Sequence, residues 1–88
     1  MSDIGQQVIV RQGRQPHVAA GAIGGTGCYV DDDGRATVIL GVSPSGEDGA
    51  RHHFHQGDRF ELGDEVWEVT EIQSPGASYW SSTVTRVS

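Results

Sequence analysis

The chain has 88 residues, of which twelve are Asp or Glu and six are Arg, so its formal net charge is −6. This acidic balance excludes nucleic-acid binding through a basic stripe, because phosphate neutralisation requires clustered cations and the six arginines are scattered along the chain. Lys is absent, which excludes lysine Schiff-base chemistry, and the 13 glycines favour short strands joined by tight turns over packed helices.

The first predicted strand covers residues 4–12 and ends at Gly13. Its apolar run, residues 8–10, is too short for the core of a signal peptide or for a membrane span. Cys28 is the only cysteine, so the chain cannot form an internal disulfide. Small domains without disulfides are typical of reducing compartments. We therefore expect a cytoplasmic location without membrane association or secretion through a standard signal.

Proline and glycine divide the next part of the chain. Pro16 argues against a central sheet position for the apolar stretch at residues 17–20. Residues 21–27 are glycine-rich and are predicted to form a flexible turn, because no Lys-Ser or Lys-Thr follows the glycines as a phosphate-binding loop requires. Predicted strands at residues 28–30 and 37–42 flank an Asp-Asp-Asp-Gly sequence, and its Asp-Gly ending predicts a hairpin.

The second half of the chain alternates short strands with turn sequences. A polar loop at residues 43–49 is expected to be mobile. No stretch has apolar residues at helical spacing over three turns, so at most a single helical turn is expected. We predict one domain over the whole chain, with an all-β fold built as a small, partly open barrel or sandwich of six or seven mostly antiparallel strands. The later strands are predicted at residues 51–56, 59–62, 66–72 and 78–87.

One hairpin carries a sequence signature. Residues 57–69 read GDRFELGDEVWEV, which resembles a family of short actinobacterial proteins of unassigned function that pair a GD-x-F-x-L-G hairpin with a W-x-V strand. The resemblance implies a small β-barrel and no known activity. Strand alternation independently places Phe60 and Leu62 on one face, and Trp67 and Val69 on one face of the next strand, so these residues are expected to form core.

Three of the four histidines lie within residues 52–55. In a strand, His53 and His55 share one face, and such a pair is spaced closely enough to bind a divalent metal ion. The third ligand of this predicted metal site is Asp58, with Glu61 and His17 as alternatives. The competing interpretation is that Phe54 faces the core, which makes the two histidines ordinary polar residues on the solvent face. We expect little bound metal.

Aromatic and ionisable residues of the second half could also form a ligand site. The predicted ligand-binding residues are Trp67, Trp80, His55 and Glu61, since a carboxylate near a buried tryptophan could have a raised pKa and donate a proton. Glu68 is expected to face solvent, opposite to Trp67 in its strand. Catalytic residues are not assigned.

These features favour a small cytoplasmic binding or accessory module that needs no cofactor and whose partner is an unidentified small molecule or protein. A homodimer belongs to this prediction, because pairing of two copies would cover the sheet edges that a short barrel leaves open. The alternatives are a small pocket enzyme of specialised metabolism, acting as an acid–base isomerase or cyclase, and a metal-binding protein using His53 and His55.

Overall fold

The computed structural model describes residues 4–88, and this part of the chain consists of strands and turns without a helix. The predicted all-β class is therefore confirmed. Because no helix is present in the described residues, none of them forms one that could cross a membrane. The strands are β1 (Gln7–Arg11), β2 (His17–Val18), β3 (Gly21–Val30), β4 (Ala36–Pro44), β5 (Ala50–His55), β6 (Arg59–Leu62), β7 (Glu65–Gln73) and β8 (Ser81–Arg86).

These strands form two four-stranded sheets with antiparallel pairing throughout. One sheet has the order β1-β8-β7-β6 and the other has the order β2-β3-β4-β5. The sheets do not close into a barrel, so the sandwich is the observed form of the two that were predicted. The described residues form eight strands, one more than the upper number expected, because His17 and Val18 form the short strand β2. It follows Pro16 and lies at a sheet edge, where a neighbouring proline is tolerated.

The core fills the space between the two sheets and includes both tryptophans. Trp67 is fully buried and is the cross-strand partner of Phe60 in the β6–β7 pair, which confirms the expectation that this hairpin supplies core residues. Cross-strand aromatic pairs of this kind stabilise a sheet beyond the area they bury. The other members of the core cluster are Val10, Ile23, Val38, Leu40, Val42, Phe54, Leu62, Val69, Trp80 and Val84.

The glycine-rich segment 21–27 belongs to a strand, so the prediction of a flexible turn was wrong. It forms most of β3, which has ten residues. A Cβ at Gly25 would overlap the carbonyl oxygen of Arg11 and lie 2.9 Å from Cη2 of Trp80. Glycine is thus required because another stretch of backbone approaches the strand closely. The register also shifts between Gly25 and Gly27, which marks a β-bulge.

The first and last strands are shorter than predicted because turns occupy their ends, whereas β4 is longer. The first strand was expected from residue 4, but Gly5 has a φ of 95° in a turn before β1. The last strand was expected from residue 78, but two consecutive turns, with hydrogen bonds from Ala77 to Ser74 and from Trp80 to Ala77, delay β8. The loop expected at residues 43–49 is shorter by two residues, because β4 extends to Pro44.

One long side of the sandwich, which we call the closed side, is joined by backbone hydrogen bonds. The connection between β1 and β2 crosses from the first sheet to the second and runs along β3. Gly13 N–H donates to the Gly25 carbonyl at 3.0 Å, and Gly25 N–H donates to the Arg14 carbonyl at 2.9 Å. Ile23 N–H donates to the Pro16 carbonyl at 3.1 Å. The two sheets are therefore continuous here through the main chain.

The other long side, which we call the open side, lies between the edge strands β5 and β6. These two strands belong to different sheets and are not paired with each other. Phe54 of β5 stacks on Phe60 of β6, with ring centroids 5.0 Å apart and planes inclined by 28°. The backbone of the β5–β6 turn bonds to Val69 of β7 at one end of this side, and side chains cover the core between the two strands.

Candidate functional site

The outer face of β5 forms the candidate site. Phe54 is only 9% exposed and points into the core, so strand alternation places His53 and His55 on the opposite, outer face. Residues from the end of β3 and from the turn after β5 surround them. We call this group the histidine surface, which consists of Tyr29, Asp31, Thr37, His53, His55 and Asp58.

His55 is held by a carboxylate from the β3–β4 hairpin. Its Nε2 lies 2.8 Å from Oδ2 of Asp31, and the imidazole is about one third exposed. Oδ1 of Asp31 accepts the backbone N–H groups of Asp33 and Arg35, as an Asp at the start of a tight turn commonly does. The bond from Arg35, followed by the contact with His55, lowers the pKa of the Asp31 carboxyl below its ordinary value of 3.8.

Asp58 binds the main chain of His55. Its Oδ2 accepts the His55 backbone N–H at 2.8 Å, and its own N–H donates to the His55 carbonyl at 3.1 Å. The same carboxylate is 3.9 Å from Nδ1 of the imidazole, which is too far for a hydrogen bond. Asp58 therefore satisfies the polar backbone groups at one end of the β5 edge.

His53 pairs with Tyr29 across β4. The tyrosine hydroxyl and Nδ1 of His53 are 2.9 Å apart, and the two rings meet edge to face with centroids separated by 5.9 Å. Tyr29 is 37% exposed and the adjacent Val30 is 53% exposed. Partly exposed tyrosines with one hydrogen-bonded end are common in protein interfaces. This end of the sheet thus presents amphipathic side chains in a fixed arrangement.

The predicted metal ligands His53, His55 and Asp58 lie on the same side of the molecule but use other partners. His53 bonds to Tyr29, whereas His55 bonds to Asp31. Within residues 4–88, no three His, Cys, Asp or Glu side chains are grouped so that they could hold a metal ion. His17 lies in β2, at the opposite edge of the sheet from β5. Metal binding by the two histidines stays a prediction.

The predicted ligand residues are not gathered in one place. Trp67 lies in the core, and its Nε1 donates to Oε1 of Glu65 at 3.0 Å. Trp80 is also buried, and its Nε1 donates to Oε1 of Gln12 at 2.8 Å on the closed side. Glu61 is exposed on β6. The two surface concavities near β1 and β2 are lined by other residues and contain neither tryptophan, His55 nor Glu61. Their role in ligand binding stays a prediction.

Three polar residues near these sites escaped the sequence reasoning. Asp31 and Tyr29 reach β5 only because the strand order places β4 between β3 and β5. Glu65 is buried at 7% exposure and forms an ion pair with Arg86, with its Oε2 3.3 Å from Nη1. The alternation Glu65-x-Trp67 was the available signal, because it places the carboxylate on the same inner face as a core tryptophan.

The environment of Cys28, the single cysteine of the chain, does not activate its thiol. Cys28 is half-buried beside the core, and burial raises the pKa of its thiol. A thiol kept protonated in this way is a weak nucleophile and a weak metal ligand. Glu68, which was expected to face solvent, lies on the outer face and pairs with Arg59 at 3.0 Å. Its carboxylate is thus engaged in a surface ion pair.

The fold and the site define a small β-sandwich whose distinctive surface is built from histidine, tyrosine and aspartate. Residues 5–88 match the model of a family described as "Family of unknown function (DUF6406)", so the chain belongs to that family. This confirms the expectation of a family without assigned function. No curated protein and no solved structure matches the chain.

Proposed function

We propose that the protein is a small binding module that assembles as a homodimer through the open edge of β5. The observation that carries this proposal is the pattern of unpaired backbone groups along that edge. A sheet edge with free N–H and C=O groups is a template for another strand, unless side chains or loops cover it. β5 pairs only with β4, and its cover is incomplete.

The hydrogen bonds of Asp58 identify which backbone groups face the open side. Because Asp58 binds both the N–H and the C=O of His55, these groups point away from β4. Orientation alternates along an antiparallel strand, so the N–H and C=O groups of Arg51 and His53 point in the same direction. Outside the β4–β5 pairing, no described residue forms a backbone hydrogen bond with them. The edge is therefore capped at His55 and open at the other two residues.

A second copy of the chain fits this short open segment. In a two-fold antiparallel arrangement centred on His52, Arg51 of one copy lies opposite His53 of the other. Each such pair exchanges two hydrogen bonds, which gives four across the axis. The sheet β2-β3-β4-β5 of one copy would join the same sheet of the second copy, which gives one sheet of eight strands. Its outer face would carry both Tyr29–His53 pairs, and this extended surface would contact a protein or small-molecule partner.

The residues paired in this arrangement, Arg51, His52 and His53, are all basic, which makes the dimer sensitive to acid. Arg51 would face a histidine of the second copy, and His52 would face its own counterpart. The other group that contacts His53 is the Tyr29 hydroxyl, and the adjacent β4 residue, Ile39, is uncharged. Any protonation of these histidines would add like charges opposite one another, which is unfavourable across a strand pair. The dimer should therefore weaken as the pH falls.

Sedimentation equilibrium of the wild type, H53A and H53P tests the interface. H53P removes an N–H that faces the open side, whereas H53A keeps it, so the alanine variant is the matched control. We expect dimers for the wild type and H53A at pH 7.5, and a dissociation constant raised about tenfold or more for H53P. Circular dichroism verifies the fold of each variant. A monomeric wild type, or equal dimerisation by folded H53P, contradicts the proposal.

The variant R51E tests the electrostatic part of the same interface. It places a carboxylate opposite His53 of the second copy, so acid should strengthen the pairing instead of weakening it. Sedimentation at pH 7.5 and pH 5.5 measures this change. Loss of dimer in acid to the same extent in the wild type and in R51E would show that the strands do not pair in this register.

Metal binding and the pocket enzyme, the two alternatives to the binding module, are tested separately. Metal analysis of untagged protein, repeated on the H53A/H55A double variant, distinguishes a metal-binding protein from the module, and near-stoichiometric metal lost in the variant would favour the former. We further propose that the residue 57–69 signature marks actinobacterial members of the family, and that the protein is cytoplasmic. The pocket-enzyme alternative requires an apolar cavity with a convergent acid.

A further inference from the structure

A shallow groove of about 500 Å³ lies on the closed side, away from β5. Ile9 and Arg11 are on the outer face of β1, because the residue between them, Val10, is fully buried. The turn after β1 brings Arg14 back beside Arg11, with Arg14 N–H donating to the Arg11 carbonyl at 3.1 Å. The residues that line this groove are Ile9, Arg11, Arg14, Gln15 and Pro16.

The two arginines of the groove lack protein partners. Arg59 and Arg86 pair with Glu68 and Glu65 at 3.0 and 3.3 Å. In contrast, the Arg11 and Arg14 side chains form no ion pair or hydrogen bond with any described residue.

Acidic residues outnumber arginines two to one in the chain, twelve against six, yet no acidic residue among residues 4–88 lines the groove. The groove is therefore a positively charged concavity on an acidic molecule, and an electrostatic focus for anions.

The groove also has an apolar wall. Ile9 is 52% exposed, which is high for a branched aliphatic residue in a strand, and Pro16 is partly buried beside it. The volume is within the range of small-molecule sites. Guanidinium groups bind carboxylates and phosphates in a bidentate manner, and an exposed aliphatic side chain gains from covering an apolar group.

We propose that this groove binds a small organic anion, in which a phosphate or carboxylate contacts Arg11 and Arg14 and an apolar body packs on Ile9. The site does not depend on the β5 dimer, because it lies on the opposite side of the sandwich. The groove would recognise the charge of a small anion, whereas the β5 edge would recognise the backbone of a second copy.

Amide chemical-shift titrations with phenyl phosphate, benzoate and inorganic phosphate test the site. Phenyl phosphate should cause saturable shifts confined to residues 9–16 and the adjacent part of β3, and should bind about fivefold or more tightly than inorganic phosphate. Comparison with benzoate shows which of the two anionic groups the arginines prefer. The titrations are run at low salt, because screening weakens exposed charge interactions.

Variants of the groove residues show whether these side chains bind the probe. R11Q and R14Q should each weaken phenyl phosphate binding about tenfold, whereas I9S should weaken phenyl phosphate but leave inorganic phosphate unchanged. R51Q is the matched control, since Arg51 is also exposed and its side chain has no partner within residues 4–88, but it lies on β5. Absence of saturable shifts with all three probes, or an equal loss in R51Q, overturns the proposal.

Discussion

The closed and open sides of the sandwich connect the same two sheets by different interactions. On the closed side, the main chain between β1 and β2 bonds directly to β3, with Gly25 both donating and accepting. On the open side, the Phe54–Phe60 stack connects the edge strands of the two sheets, β5 and β6. The closed side is therefore joined by backbone hydrogen bonds along β3, whereas the edges of β5 and β6 are joined by an aromatic stack beside a short turn.

Each side has one tryptophan as its anchor. Trp80 lies beside Gly25 and donates to Gln12, so it supports the crossing backbone. Trp67 lies opposite Phe60 and donates to Glu65. A small sheet protein can thus leave a strand edge unpaired where aromatic side chains cover the core. Changes on the closed side should therefore affect stability through the close backbone approach at Gly25. Changes on the open side should affect it through aromatic packing and, near Asp31, through pH.

The largest effect is expected when Trp67 is truncated. W67A removes the indole behind the open side and should lower the free energy of unfolding by about 3–5 kcal/mol, because a large cavity forms in the core. Urea unfolding followed by circular dichroism measures the change. W67F should lose less and stay folded if the alanine variant does not. A native Trp67 readily quenched by iodide, together with wild-type stability of W67A, would contradict its burial.

Adding a methyl group at Gly25 should disrupt the backbone contacts of the closed side and lower the stability of the fold by less than the Trp67 truncation does. G25A forces a Cβ against the Arg11 carbonyl and Trp80, and should cost about 1–3 kcal/mol. Gly41 is the matched control, because it lies in β4 and a Cβ added there would meet no atom within 4 Å. G41A should change stability by less than about 1 kcal/mol. An equal loss of stability in G25A and G41A would mean that glycine is not required at residue 25 by the nearby Arg11 backbone.

The smallest effect concerns the charge of Asp31 on the open side. Its pKa is lowered in the folded protein, so its ionisation stabilises the fold above the ordinary value of 3.8, and this contribution is lost as the pH falls through the folded-state pKa. D31N should therefore be less stable than the wild type near pH 7, with the difference vanishing in strong acid. Urea unfolding between pH 2.5 and 7 measures this.

The neighbouring residue Asp32 provides the control for that measurement. It lies in the same turn, is exposed and forms no side-chain hydrogen bond with a described residue. D32N should match the wild type at every pH. A D31N difference that is constant with pH would attribute the effect to turn geometry and not to ionisation.

Local sequence predicted the elements whose signals lie within one hairpin. Alternation and the Gly63-Asp64 turn were enough to predict the β6–β7 hairpin and the burial of Trp67. The same reasoning placed His53 and His55 opposite Phe54. These features depend on the strand period and on turn chemistry, which operate over a few residues.

The same local rules misjudged residues 21–27. Glycine in a short segment is compatible with both a turn and a strand crowded by a distant backbone, and only the approach of Arg11 and Trp80 distinguishes them. The partners of the histidines were also beyond local reasoning. Asp31 and His55 are 24 positions apart and meet because β4 lies between their strands.

Residue types and their alternation were sufficient to predict the all-β class, the absence of an internal disulfide, the acidic net charge and the hairpin that anchors the core. Composition and the two-residue period carry this information, because each depends on residue type or on near neighbours. The arrangement of the sheets as a sandwich with one closed and one open side could be seen only in the folded chain. Strand order sets which distant residues meet, and it results from the packing of all inner faces together, which no single segment encodes.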